Sequence, residues 1–143
     1  MTVHIASEAE INTVYDIRKK VFVEEQLVPI DIEIDDLEQD AFHFICYYEG
    51  NAVGASRLRL EDSYGKLERI CVLQAYRGLS LGKQIIKKME KHIQKMGYPT
   101  AKLSAQTHAI SFYQSLGYHI ISDEYMDAGI PHKTMMKSLN DQT

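Results

Sequence analysis

The chain has no tryptophan, only two cysteines and three prolines in 143 residues, and no excess of positive charge. Each shortage removes a class of protein. Lysine and arginine number 16 against 20 aspartates and glutamates, a formal net charge of −4. That balance offers no basic face for a phosphate backbone, so nucleic acid is excluded as the expected partner. Cys46 and Cys71 each lie inside an apolar run with no CxxC spacing. A disulfide framework and a zinc knuckle are both unsupported, and a reducing compartment is the natural setting. No apolar run approaches the roughly 20 residues that span a bilayer, and Met1–Ala6 holds no basic segment followed by an apolar one. The expectation is a cytoplasmic protein that makes no use of a membrane. What is present is ordinary globular material: 45% hydrophobic residues, enough for one domain over residues 1–143.

The pattern along the chain alternates between strand and helix. Residues 2–6 read as a short strand. Ile11, Val14, Ile17, Val21 and Phe22 then mark one face of a helix. From Val28 to Asp40 the character shifts to Pro29 and a run of acids, which reads as a loop with at most short structure. Phe42–Tyr48 and Ala52–Leu60 form a hairpin about Glu49-Gly50-Asn51, with Leu58 and Leu60 opposite in phase to Arg57 and Arg59. Lys66–Leu73 is a third strand. Ile85, Ile86, Met89, Ile93 and Met96 set the apolar stripe of a lysine-rich helix that Gly97 and Pro99 stop. A strand over 100–105, a short helix over 109–116, a strand over 118–126 and a last strand over 133–139 complete the chain. Hairpins followed by strand–helix–strand predict an α/β (α+β) fold with a mixed, mostly antiparallel central sheet flanked by helices.

Between the third strand and the lysine-rich helix lies Gln74-Ala75-Tyr76-Arg77-Gly78-Leu79-Ser80-Leu81-Gly82-Lys83. Small residues where a strand feeds a helix let backbone N–H groups approach an anion at the positive end of the helix dipole. Lys83 in the first helical turn opposes that dipole, a placement that a bound anion makes sense of. The spacing excludes a P-loop, because Gly78 and Gly82 enclose three residues and Gln84 follows Lys83. The dinucleotide fingerprint is absent as well. A side chain at Gly82 is expected to intrude on the phosphate or strain the turn.

This segment resembles the acyl-CoA signature of the GNAT superfamily, [R/Q]-x-x-G-x-[G/A], with Ser80 where the central glycine usually sits. Lys66–Leu73 resembles the superfamily's fourth strand, and Phe112–Tyr118 its Y-x-x-x-G-[F/Y] segment. Arg18–Gln26 and Gly129-Ile130-Pro131-His132 resemble stretches of the ElaA/YjcF-like branch. The resemblance covers nearly the whole chain in order and implies the GNAT acyl-CoA N-acyltransferase fold. It also implies an N-acetyltransferase that moves acetyl from acetyl-CoA to a primary amine by direct attack in a ternary complex, with no metal. Cofactor contacts are then expected from the backbone of Cys71, Val72 and Leu73 and of Arg77, Gly78, Leu79, Ser80, Leu81, Gly82 and Lys83.

Acetyl transfer to an amine needs a base for the amine, a donor for the developing oxyanion and a proton for the departing thiolate. Resemblance places Tyr113 near the thiolate. Glu68, on the third strand among apolar residues, is a candidate base or an arginine-paired carboxylate, and His108 and His132 are alternative bases. Glu33, Asp35 and Asp36 of the acidic run, with His132, are expected to meet the acceptor, a small molecule or a protein amine. Two other functions stay open. One is a glucosamine-phosphate-type acetyltransferase using Arg18, Arg57, Arg59 and Arg69; the other is a non-catalytic CoA-binding sensor. Homodimers are common among relatives, so a homodimer is a further expected partner.

Overall fold

A computed structural model describes residues 1–139. Eight strands form one sheet in the order β1-β2-β3-β4-β5-β8-β6, with β7 also pairing β8. The strands are β1 (Thr2–Ile5), β2 (Phe42–Tyr48), β3 (Asn51–Leu60), β4 (Gly65–Val72), β5 (Thr100–Gln106), β6 (His119–Ile120), β7 (Tyr125–Asp127) and β8 (Ile130–Ser138). Only β4 and β5 run parallel. The mixed, mostly antiparallel sheet flanked by helices is the expected architecture.

Helix α1 (Ile11–Arg18) passes without a break into a π-helical stretch, Lys19–Glu25, and a single short turn, α2 (Ile30–Glu33), interrupts the acidic run. Helix α3 (Leu81–Lys95) and the short α4 (Ile110–Ser115) follow β4 and β5. The sheet's two faces carry separate cores. Phe44, Leu58, Leu67 and Met135 pack with Ile85, Ile86, Met89 and Ile93 of α3. Val14, Ile17 and Val21 of the α1 side pack on Ile45, Ala55 and Cys71. Glycine at 65 is what lets α3 lie this close: a Cβ there would stand 2.4 Å from Ile93 Cγ1.

Two expectations need correction. The stripe of α3 ends at Ile93, because Met96 follows the last helical turn and is exposed. The strand expected over 118–126 is two short ones, β6 and β7, each pairing β8 separately. Arg57 is on the opposite face from Leu58, as expected, yet only 1% exposed, because α1 and the acidic run cover that face.

The feature that creates a site is a fork in the sheet. β4 and β5 pair only at Gly65↔Ala101, Lys66↔Lys102 and Leu67↔Leu103. Beyond Leu67, β4 continues along β3 to Val72, while β5 continues along β8 to Gln106 opposite His132. A β-bulge on β4 helps the divergence: Arg57 pairs Glu68 and Ala55 pairs Cys71, so Ser56 alone opposes Arg69 and Ile70. Arg69 takes φ 55, a left-handed conformation unusual for a side-chain-bearing residue.

Candidate active site

The fork opens a cavity of about 240 Å³. Lys66, Glu68, Arg69 and Ile70 form its β4 wall, and Leu103, Ser104 and Gln106 form its β5 wall. Phe22 and Gln26 reach in from the π-helical stretch, Ile32 and Glu33 from α2, His108 and Tyr113 from the segment after β5, and Asp127 and His132 from the β7–β8 hairpin. The π-helical widening has a positional effect, with Gln26 N–H bonding Val21 O at 3.0 Å across five residues. It brings Gln26 to the far wall, where Gln106 Nε2 donates to its Oε1 at 2.8 Å.

Beneath the cavity lies a buried network of charges. Arg18, fully buried, donates from Nη1 and Nη2 to the two oxygens of Glu38 at 2.8 Å each, and from Nε to Glu33 Oε1 at 2.8 Å. Arg57 bridges Asp35 (2.7 Å), Glu38 (2.9 Å) and Glu68 (2.9 Å). Arg59 holds Glu68 at 2.7 Å and Glu61 at 2.7 Å. Arg69 makes longer contacts, 3.3 Å to the Glu33 carbonyl and 3.4 Å to Asp35.

This network changes the reading of several residues. Glu68 lines the cavity but is bound by two guanidinium groups. Burial works to raise its carboxyl, yet the Arg59 hydrogen bonds and the Arg57 and Arg59 charges more than offset it and hold it below the usual range. A carboxylate so stabilised is a poor proton acceptor, so the arginine-paired alternative describes Glu68. Glu33 reaches the cavity wall as an Arg18 counter-ion, Asp35 buttresses Arg57 and Arg69, and Asp36 stays exposed off the cavity. The four arginines held open for a phosphosugar are all paired with carboxylates. Arg57 and Arg69 are the site residues that sequence pattern underrated. For Arg57 the signal was its alternation, with Arg59, between leucines in a strand; Arg69 had no such pattern.

The remaining candidates lie where a reaction could use them. Tyr113 is partly buried on the cavity wall, and burial pushes its phenol up to about 12, so it stays protonated at neutral pH. His132 is buried, stacks on Tyr125 at 6.2 Å, and its Nδ1 lies 2.7 Å from the Ile130 carbonyl. A carbonyl can only accept, so Nδ1 is the donor, and in the neutral ring Nε2 is then the nitrogen with the lone pair. His108 lines the same cavity from an exposed position. Cys71 is buried, burial pushes its thiol up to about 12, and Sγ donates weakly to Ala55 O; it is an inert core thiol.

The loop after β4 has the geometry of an anion site. Gly78 (φ 85) and Ser80 (φ 62) both take left-handed conformations. Ser80 is the N-cap of α3, yet its side chain makes no capping bond. The first-turn N–H groups of α3 are therefore left without a side-chain partner, as a bound phosphate requires. Two details are corrected. Gly82 is helical, and a Cβ there would meet only Phe112 Cζ at 3.8 Å, so the turn itself does not need a glycine. Leu73 N–H donates to Val53 O at 2.8 Å, which turns Leu73 toward β3. By β-strand alternation Val72 and Ile70 then face the open edge. Arg77 is tied down by Glu25 at 2.6 and 2.8 Å and donates to the Val72 carbonyl at 3.0 Å, so its guanidinium fixes the loop to the π-helical stretch.

The chain is matched by known proteins both in sequence and in fold. The family described as the Acetyltransferase (GNAT) domain matches residues 6–139. The chain belongs to the GNAT acetyltransferase family. It is 45% identical over 132 residues to YjcF of Bacillus subtilis, an N-acetyltransferase by name, covering 92% of this chain and 94% of that one. ElaA of Escherichia coli is 31% identical over 141 residues, covering 93% and 92%. The crystal structure of Escherichia coli ElaA superposes with a TM-score of 0.83 at 27% identity, covering 96% of this chain and 99% of that one. An aminoglycoside 6′-N-acetyltransferase complexed with coenzyme A shares the fold, with a TM-score of 0.80 at 14% identity over 100% and 99% of the two chains. As a GNAT acetyltransferase the chain is an enzyme. Among its described residues no helix is long and apolar enough to cross a membrane.

Proposed function

We propose that this GNAT enzyme transfers acetyl from acetyl-CoA to a primary amine by direct attack, with His132 as base and Tyr113 as acid. The observation that carries the reading is the shared cavity. It is lined by an imidazole with a free Nε2, a phenol kept protonated by burial, and the β4 edge left open by the fork.

Acetyl-CoA supplies an activated thioester carbonyl. The first-turn N–H groups of α3 and the loop Arg77–Lys83 would hold its pyrophosphate, and the open edge at Ile70 and Val72 would pair with its pantetheine arm. His132 Nε2 takes the proton that the amine loses as the N–C bond forms. Backbone N–H on the β4 edge donates to the carbonyl oxygen as it gains charge. Tyr113 gives its proton to sulfur as the C–S bond breaks and recovers one from solvent, to which His132 releases its own. The products are an N-acetylated amine and the free thiol, so atoms and protons balance with no covalent enzyme intermediate. Glu33, Asp35 and the Arg57 cluster shape the acceptor end without binding charge of their own to spare.

The test is calorimetric titration with acetyl-CoA, followed by thiol release assayed with amino acids, diamines, aminoglycosides, hexosamine phosphates and peptides. Binding and turnover with at least one amine is the expected result. No binding at millimolar acetyl-CoA would overturn the reading, and binding without turnover on any amine would favour a CoA sensor.

A further inference from the structure

Arg69 is the guanidinium of the acceptor end that the fold holds most loosely. Its hydrogen bonds are 3.3 Å to each of the Ile32 and Glu33 carbonyls and 3.4 Å to Asp35. Arg18, Arg57 and Arg59 each hold a carboxylate closer, at 2.8, 2.7 and 2.7 Å. The two carboxylates that Arg69 approaches are already engaged, Glu33 by Arg18 at 2.8 Å and Asp35 by Arg57 at 2.7 Å. None of the hydrogen bonds that Arg69 makes among the described residues uses Nη1. Its side chain is 23% exposed on the cavity wall, where those of Arg18 and Arg57 are buried.

A strained piece of backbone puts it there. Leu67 packs in the α3 core and Cys71, four residues on, in the α1 core, although regular alternation would put both on one face. The bulge between them makes the switch, and Arg69, at φ 55, is its left-handed residue. Glu68 and Arg69 therefore share the side of the acidic run: Glu68 accepts from Arg57, and Arg69 donates to Asp35 and the Glu33 carbonyl. In a regular strand Arg69 would turn into the α3 core. Strain on a cavity wall, at a residue whose own contacts are long, points to a ligand.

Arg69 and His132 stand on opposite arms of the fork. Arg69 lies two residues beyond the last pair, Leu67↔Leu103, and His132 is opposite Gln106, three residues beyond it. An acceptor whose amine meets His132 Nε2 can extend its other end to the β4 arm. A guanidinium there calls for an anion, and a carboxylate suits it best. It is planar and accepts two parallel N–H bonds. It also carries a single charge, whereas a dianionic phosphate would be repelled more strongly by Glu33, Asp35 and Glu68 nearby.

We propose that the acceptor is a small amino acid, its amine at His132 and its carboxylate on Arg69, which rests on the acetyl-transfer reading above. Straight-chain amino acids with one to five methylenes between amine and carboxylate, each beside its carboxamide, test it by thiol release. At least one carboxylate should exceed its carboxamide in kcat/KM by about tenfold to a hundredfold, the range for hydrogen bonds to a charged group. In Arg69→Gln that ratio should fall toward one, through a raised KM for the carboxylate. General damage to the fold slows both substrates and cancels in the ratio. Arg69→Lys, which keeps the charge and loses the planar fork, should give an intermediate ratio.

Absence of any carboxylate preference in the wild type would overturn the proposal, whether or not the variants fold. An unchanged ratio in Arg69→Gln would overturn it too, as would loss of the preference in Lys66→Gln instead, which would give the anion to the neighbouring ammonium. An aminoalkyl phosphonate preferred over its matching carboxylate would overturn the choice of anion. Turnover of amines with no carboxylate preference keeps the acetyl-transfer reading and sinks this one; absence of acetyl-CoA binding sinks both.

Discussion

Replacing Arg18 with methionine isolates the element that holds the acceptor side of the cleft together. Methionine keeps the unbranched apolar stem and removes the charged guanidinium. The substitution deletes two hydrogen bonds to Glu38, one to the Glu33 carboxylate and one, at 2.9 Å, to the Glu33 carbonyl. Both carboxylates stay buried, at 1% and 7% exposure, so water cannot replace the lost partner. Removing one member of such a buried pair costs about 3–5 kcal/mol. Arg57, 2.9 Å from Glu38, softens the loss and points to the lower end of that range. At about 3 °C per kcal/mol for a chain of this size, Tm should fall by roughly 10 °C.

The pH dependence gives a second reading of the same variant. Burial works to raise the Glu38 carboxyl, but the Arg18 hydrogen bonds and charge outweigh it and hold it below its ordinary value. A depressed carboxyl contributes stability above its unfolded value of about 4.3 and loses it as pH falls through the folded value. The wild type should therefore lose stability on acidification below about pH 4, and Arg18→Met should show a shallower acid loss. Urea melts at pH 7 and across the acid range measure both effects. Adding Glu38→Gln to Arg18→Met should recover part of the loss. A variant within about 1 kcal/mol of wild type at pH 7 would refute this account, because exposed pairs are worth no more than that.

Other outcomes follow from the cavity and its loop. Tyr113→Phe should lower kcat by about 10²–10⁴-fold with acetyl-CoA affinity unchanged, and wild-type turnover in the folded variant would reduce Tyr113 to a packing residue. His132→Gln should lower kcat/KM on the same scale, with partial rescue by added imidazole; undiminished turnover in the folded variant would remove His132 as base. Ser80→Gly relieves a left-handed serine, worth roughly 1–2 kcal/mol, against roughly 0.5–1 kcal/mol of added chain entropy. Thermal melts should show a small net stabilisation, and a loss above about 1 kcal/mol would mean that Ser80 makes a contact needed by the loop. Acetyl-CoA affinity should fall steeply with ionic strength, and acceptor KM should respond far less.

Elements that bury one regular face were legible. The α3 stripe from Ile85 to Ile93, the β2–β3 hairpin about Gly50 and the loop ahead of α3 follow from periodicity, turn chemistry and a motif. The β7–β8 turn was visible at Asp127-Ala128-Gly129, but not the break between His119–Ile120 and Tyr125, because both pieces have strand-like composition. The Arg69 bulge left no local sign, since its cause is the pairing of β4 with β3 rather than any residue preference. The partners of the charged residues were least accessible. Arg57 meets Asp35, 22 residues away, and Arg69 meets the Ile32 carbonyl, 37 residues away. Composition shows that acids and arginines are both abundant; only the fold shows that they neutralise each other.

That neutralisation bears on what the acceptor end can select. An acidic run read as a sequence suggests a field that draws cations toward the cleft from a distance. In the folded chain Glu33, Asp35, Glu38 and Glu68 are each within 2.9 Å of a guanidinium nitrogen, so these four carboxylates add little to that field beyond the network. Opposed charges in contact act as short-range dipoles, whose influence falls off much faster than that of single charges. Selection of the acceptor then falls to contact. The Gln26–Gln106 bridge narrows the cavity, Ser104 and Asp127 offer polar groups at its walls, and Phe22, Ile32 and Ile70 supply apolar surface. The cofactor side follows the opposite logic, with the first-turn backbone N–H groups of α3 left uncapped by any side chain, open to a ligand of fixed negative charge. One half of the site is built to attract, and the other to fit.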